Sequence, residues 1–272
     1  MFKKVIALYG VPRSGTSWLG EILNSNPEVI YRYQPLFSYR FKSRLTAEST
    51  YDDINVFFRK LYNENNDEFL NQTIQRNKKM YPVFKEKPSN LPVLAYKEVR
   101  YLYTIPMLLS RYPDIKIVTI SRNPYDVLES WMNAPSEYRQ EWNIYEEWRM
   151  ATKKNEYKPE NYYGYYKWKE FIKLISDMKE MYPENFITLR YEDLAEHTFN
   201  VIKNLFLFLN IPYTDQTRNF IVASQNNEYD DAYSVYRNKN KKKKQIHIPE
   251  EIKSKISQDL KEFKEAKMLG YF

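Results

Sequence analysis

Gly10-Val11-Pro12-Arg13-Ser14-Gly15-Thr16-Ser17 places two glycines, an arginine and three hydroxyl side chains within eight residues. The two-glycine spacing, after an apolar run and before a helical one, is that of a phosphate-binding loop. Loop amides and the N-terminus of the following helix together make an anion site. A nucleotide hydrolase would end the loop in Gly-Lys-Ser/Thr, whereas here Gly15 is followed by Thr16 and Ser17 and the cation stands earlier, at Arg13. Nor does an aspartate close the run Ile115 to Ile120 to hold magnesium, since Ser121 and Arg122 follow it. The loop therefore reads as a phosphate site that works without a metal. With no cysteine and only His197 and His247, disulfides, thiolate sites and histidine-rich metal cages are excluded.

A second constellation lies about a hundred residues on. In Ile120-Ser121-Arg122-Asn123-Pro124-Tyr125-Asp126-Val127-Leu128-Glu129-Ser130 an arginine ends an apolar run, Pro124 suits a first helical turn, and a serine follows Arg122 at a distance of eight. A guanidinium offers a planar fork to phosphate oxygens, and the Ser130 hydroxyl can donate to the same anion. The bland alternative is a helix-start ion pair between Arg122 and Asp126. Taken together, Pro12 to Leu19 resembles the 5′-phosphosulfate loop, and Ile120 to Ser130 the 3′-phosphate motif, of sulfotransferases that use 3′-phosphoadenosine 5′-phosphosulfate (PAPS), above all their carbohydrate and tyrosyl-protein branches. Leu189-Arg190-Tyr191-Glu192-Asp193-Leu194, Phe208-Leu209-Asn210-Ile211-Pro212 and Leu269-Gly270-Tyr271 are similar to further segments of that family, in the same order along nearly the whole length.

The resemblance implies transfer of a sulfuryl group from PAPS to an acceptor hydroxyl, with a carbohydrate or glycolipid-type molecule as the expected acceptor and no metal. Arg13, Ser14, Gly15, Thr16 and Ser17 would hold the 5′ side, Arg122 and Ser130 the 3′-phosphate, Trp18 and Tyr191 would add aromatic surface, and Arg237 would close the adenine end. Lys97, which matches a lysine of the tyrosyl-protein branch, would neutralise the bridging oxygen together with Arg13; its alternative is a strand-end lysine in solvent. Related branches carry a glutamate where this chain has Gln34, which cannot accept a proton. Glu98 is the expected replacement as general base, with Glu86 behind it, and Gln34 would orient the acceptor.

These side chains need a scaffold. Lys4–Tyr9, Val93–Tyr96, Ile115–Ile120 and Phe186–Leu189 read as strands; Thr16–Leu23, Tyr101–Tyr112, Asp126–Met132, Thr198–Leu209 and Glu250–Lys267 read as helices. Their alternation predicts an α/β fold: one P-loop-like domain over residues 1–272, with a mostly parallel central sheet and helices on both faces. The polar and aromatic stretches near 39–87 and 133–169 are expected as acceptor-side insertions above the carboxyl ends of the strands. Within the second, Tyr157 to Trp168 would suit sugar stacking or ordinary packing.

At 43% apolar residues the chain can build a core, and its net charge of +7 favours anionic partners. Part of the excess is the run Arg237 to Lys244, six basic residues in eight. A P-loop kinase would show a loop lysine and a metal aspartate. A nucleic-acid binder would use Lys241 to Lys244 and the tyrosines, and no nucleic-acid partner is expected here. The first apolar run is too short for a signal segment or a membrane span, so the expected location is cytoplasmic.

Overall fold

The computed structural model describes residues 2–84, 91–227, 231–236 and 246–272. Five strands, β1 (Lys4–Tyr9), β2 (Val29–Tyr33), β3 (Val93–Glu98), β4 (Ile115–Ser121) and β5 (Phe186–Arg190), form one sheet in the order β2-β3-β1-β4-β5. Every pairing is parallel, and Leu8 lies opposite Lys97 on one side and Val118 on the other. Parallel strands need crossovers, and the intervening helices cover both faces. Alternation along β1 shows the division: Val5, Ala7 and Tyr9 join one core cluster, Ile6 and Leu8 the other.

The four expected strands are present. β2 is the addition, and its Arg32 is what disguises it. That side chain is only 4% exposed because its guanidinium donates to the Leu61 carbonyl at 3.1 Å and to Asn71 and Asn65 at 2.8 and 3.0 Å. Hydrogen-bonding this fully is what lets an arginine sit in a sheet beside apolar neighbours.

The two stretches expected as surface insertions also contribute to the core. Residues 39–87 contain a helix, α2 (Tyr51–Asn63), opened by a capping box in which Thr50 and Asp53 exchange hydrogen bonds. Its Ile54, Phe57, Phe58 and Leu61 are buried at helical spacing, and Phe58 meets the rings of Tyr96 and Tyr112 at 5.9 and 5.1 Å. In residues 133–169, Tyr162, Tyr163, Tyr165 and Trp168 are buried, whereas Tyr157 stands in solvent. Packing is thus what most of the Tyr157–Trp168 rings do. The expected helix Glu250–Lys267 is two, Glu250–Leu260 and Lys264–Met268. The break turns Phe263 toward Trp168, with ring centroids 6.3 Å apart.

Candidate active site

The chain leaves β1 through a turn that tolerates only glycine at two points. A side chain at Gly10 would put its Cβ 2.6 Å from Ser14 Oγ and 2.8 Å from the Ile120 carbonyl; at Gly15, where φ is +96°, it would come within 2.5 Å of the Tyr191 ring. Arg13 also adopts a left-handed φ, of 72°, a strain of roughly 1 kcal/mol or more held by its surroundings. The chain then enters α1 (Thr16–Asn24), whose N-terminus has neither a side-chain cap nor an acidic first turn. Its first amides lack intrahelical partners, as helix starts do, and the end carries partial positive charge. Gly15, Thr16, Ser17 and Trp18 line a cavity of about 690 Å³. Ser14 is a correction to the expected set. It is fully buried, and its amide and hydroxyl both donate to the Val11 carbonyl at 3.2 and 2.7 Å, bracing the turn from within.

Lys97 and Glu98 are adjacent in β3 and so project to opposite faces. Lys97, 2% exposed, reaches the loop: Nζ donates to Ser17 Oγ at 2.8 Å and Thr16 Oγ1 at 3.4 Å, and lies 4.2 Å from the centroid of the Tyr33 ring. Burial lowers its pKa, against the raising influence of Tyr33, Glu98 and Glu137. This is no lysine in solvent. Glu98 lies behind the cavity wall with no exposure; Oε1 accepts the Leu36 amide at 2.6 Å and Oε2 is buried without a hydrogen bond. Burial pushes its carboxyl up to about 8, partly countered by that amide and by Arg100 and Lys97. Strand alternation thus removes Glu98 from the site that the sequence assigned it to.

Arg122 follows β4 and Ser130 sits on the helix Pro124–Met132. Arg122 Nη1 donates to the Arg13 carbonyl at 3.1 Å, and its guanidinium stacks 4.4 Å from the Tyr191 ring centroid. The ion pair with Asp126 exists at 3.8 Å, yet Arg122 Nε remains buried without a hydrogen-bond partner at the cavity wall. Such a group is unfavourable unless a ligand completes it. Ser130 Oγ accepts from Arg13 Nε at 3.1 Å, and Arg13 Nη2 donates to the Ala232 carbonyl at 3.0 Å. Trp18 packs edge-on to Tyr191 and donates to Ser224 Oγ at 2.9 Å.

Arg13, Gly15, Thr16, Ser17, Trp18, Lys97, Arg122, Ser130 and Tyr191 therefore line one cavity. Arg237, Glu86 and Lys241 to Lys244 lie outside the described residues. Several lining residues carried no sequence signal. Ser224 and Gln225 come from the helix Asp215–Asn226, Glu137 and Tyr233 from irregular segments, and Gln72, Gln75 and Tyr81 from the first insertion. Tyr33 was findable, because it precedes Gln34 at the end of β2. Gln34 itself is in a left-handed conformation and accepts from Arg100 at 3.3 Å. Among the described residues, no cluster of three or more His, Cys, Asp and Glu side chains could hold a metal ion, and no helix is long and apolar enough to cross a membrane.

The glycine turn into an uncapped helix start, a half-buried arginine with an unpartnered Nε, and the carboxyl edge of the parallel sheet meet at one cavity of a P-loop-like α/β fold. The profile described as the sulfotransferase family matches residues 6–215. The chain belongs to that family, whose members move a sulfuryl group from PAPS to an acceptor. Its fold is similar to retinol dehydratase solved with androsterone and inactive cofactor PAP (TM-score 0.55, 14% identity, 97% of this chain and 81% of that one). It is also similar to mouse sulfotransferase SULT7A1 complexed with PAP (0.52, 16%, 87% and 75%) and to a sulfotransferase from Alicyclobacillus acidocaldarius (0.50, 16%, 82% and 91%). No curated protein sequence matches the chain.

Proposed function

We propose that the cavity binds PAPS with its 5′-phosphosulfate on the α1 loop and its 3′-phosphate between Arg122 and Ser130, and that the acceptor is a polyhydroxylated molecule of carbohydrate type. The observation that carries the donor reading is the pair of cationic positions lining one cavity: an uncapped helix start beside Lys97, and Arg122 with its unsatisfied Nε. Gly15, Thr16 and Ser17 bind the 5′ end through the helix start, Lys97 moves from Ser17 and Thr16 onto the leaving oxygen, and Arg13 adds charge beside them. Trp18 and Tyr191, with Ser224, form the wall toward the base. The residues mainly position the reactants and stabilise charge that spreads as the bond to the leaving phosphate breaks.

The acceptor reading rests on the remaining wall. Tyr33, Gln34, Gln72, Gln75 and Tyr81 line the cavity on the Lys97 side, a set of amides and phenols that can exchange hydrogen bonds with several hydroxyls at once. The PAP-bound structures named above carry androsterone in one case; a largely apolar acceptor of that type would use little of the hydrogen-bonding capacity that this wall offers beyond the bonds Gln34 and Gln72 already make to Arg100 and Phe69. Two measurements test the proposal. The desulfated nucleotide PAP should raise the thermal midpoint more than ATP does, since it alone fills both anion positions. Radiolabelled PAPS offered to mono- and oligosaccharides, phenols and sterols should label the saccharides; labelling confined to phenols or sterols removes the carbohydrate reading.

A further inference from the structure

With Glu98 behind the wall, the site lacks the proton acceptor that sulfuryl transfer to a hydroxyl requires. Three carboxylates among the described residues line the cavity: Glu137, Glu192 and Glu196. Glu192 is committed, since Oε1 accepts the Asn123 amide at 2.7 Å and Oε2 the Tyr271 hydroxyl at 3.3 Å. Glu196 is exposed beside His197, in the same short helix as Tyr191 and away from Lys97. Glu137 differs from both. Its Oε2 is buried without a hydrogen-bond partner and stands 3.8 Å from Arg13 Nη1, and its charge is felt at Lys97. The backbone that presents it is fixed: its amide donates to the Ala134 carbonyl at 2.8 Å and its carbonyl accepts Trp131 Nε1 at 3.1 Å, Trp131 being buried. The Ser136 amide, one residue earlier, donates to the Tyr233 hydroxyl at 2.8 Å.

We propose that Glu137 is the general base of the transfer reaction. Its carboxylate faces Arg13 of the 5′ loop at 3.8 Å, lines the same cavity as Lys97 at the end of β3, and stands near enough for its charge to act on that lysine. In the step, the acceptor O–H gives its proton to Glu137 Oε2 while the acceptor oxygen forms a bond to sulfur. The S–O bond to the 5′-phosphate of PAPS breaks, its electron pair going to the phosphate oxygen that Lys97 neutralises. Products are the sulfate ester, PAP and one proton, which Glu137 returns to solvent. A buried carboxylate oxygen with no donor is costly to keep, and a hydroxyl arriving beside Lys97 supplies the missing donor. Arg13 has a separate role here, because its Nε and Nη2 are bonded to Ser130 and Ala232, while its Nη1 faces Glu137 at 3.8 Å without a hydrogen bond.

The inference rests on the PAPS reading, and its test keeps the two apart. Release of radiolabelled inorganic sulfate from PAPS, with water as acceptor, is followed alongside calorimetric titration of PAP. Glu137→Gln should lower sulfate release about 100-fold or more, the usual scale of a lost general base, while PAP affinity changes less than about threefold. Glu137→Ala should regain part of the lost rate when formate is added, which a merely structural role would not allow. Turnover of Glu137→Gln within about threefold of the parent overturns the assignment. So does a fall in PAP affinity equal to the fall in rate, which would make Glu137 only the partner of Arg13. Absence of any enzyme-dependent sulfate release by the parent also overturns it, since a base already in place activates water too. Failure of the parent to bind PAP would instead sink the donor reading.

Discussion

The Lys97 ammonium has three donors, and Ser17, Thr16 and Tyr33 engage it. Arg122 has unused capacity at Nε. Arg122→Ala should weaken PAP by roughly 1.5–3 kcal/mol, the range for a charge-assisted hydrogen bond. Because Arg122 also holds the Arg13 carbonyl, some loss for every nucleotide is expected, so the measure is the ratio. Calorimetry should show PAP weakened at least tenfold more than adenosine 5′-phosphate, and equal weakening removes the 3′-phosphate role. Glu98 invites a different measurement. Its carboxyl is raised from 4.5 to about 8, so between those values the folded state binds more protons than the unfolded one. Stability from this group is present at low pH and is lost as pH rises through that window. Glu98→Gln keeps an acceptor for the Leu36 amide and removes the titration, so its unfolding free energy should vary less with pH and exceed the parent's near pH 8. A parallel pair of urea-derived stability curves would refute this.

Among the elements, α2 shows why some structure escapes a sequence reading. Its apolar residues Ile54, Phe57, Phe58 and Leu61 have helical spacing, but they are diluted by Asp52, Asp53, Asn55, Arg59 and Lys60, so the stretch reads as polar. β2 escaped for the mirror reason, since Arg32 interrupts an apolar run and its compensating partners lie 29 to 39 residues away. β1, β3 and β4 were legible because a strand buried on both faces must be apolar throughout. The packing of α2 has a measurable weight. Phe58 is fully buried against Tyr96 and Tyr112, and Phe58→Ala should cost about 3–5 kcal/mol. Tyr51, half exposed at the helix start although stacked on Tyr112, should lose about 1 kcal/mol or less on truncation, a surface change in scale. Urea denaturation of both variants checks the order; equal losses would mean that α2 packs differently.

Across the whole molecule, the loop and the Arg122 motif were legible because backbone anion sites need particular residue types at fixed local spacing. The rest of the cavity wall was not. Gln72, Glu137, Ser224 and Tyr233 come from four separate regions, and no local pattern announces a neighbour brought there by tertiary folding. Glu98 was misplaced because composition does not reveal which way a strand residue points, and its parity with Lys97 does.

The Tyr271 hydroxyl lies 2.8 Å from Ser121 Oγ and 3.3 Å from Glu192, pinning the end of β4 beside Arg122 from 150 residues downstream. Domains emerge from the ribosome N-terminal end first, at about 5–20 residues per second, and the phosphate loop appears well before Tyr271. It must then wait roughly ten seconds to a minute, at that rate, for residue 271 to be made. Until then Ser121 and Glu192 lack this tether. During synthesis the nascent chain is accordingly a nucleotide site under assembly, and the proposed donor binding is expected to mature only once the segment bearing Tyr271 has been made.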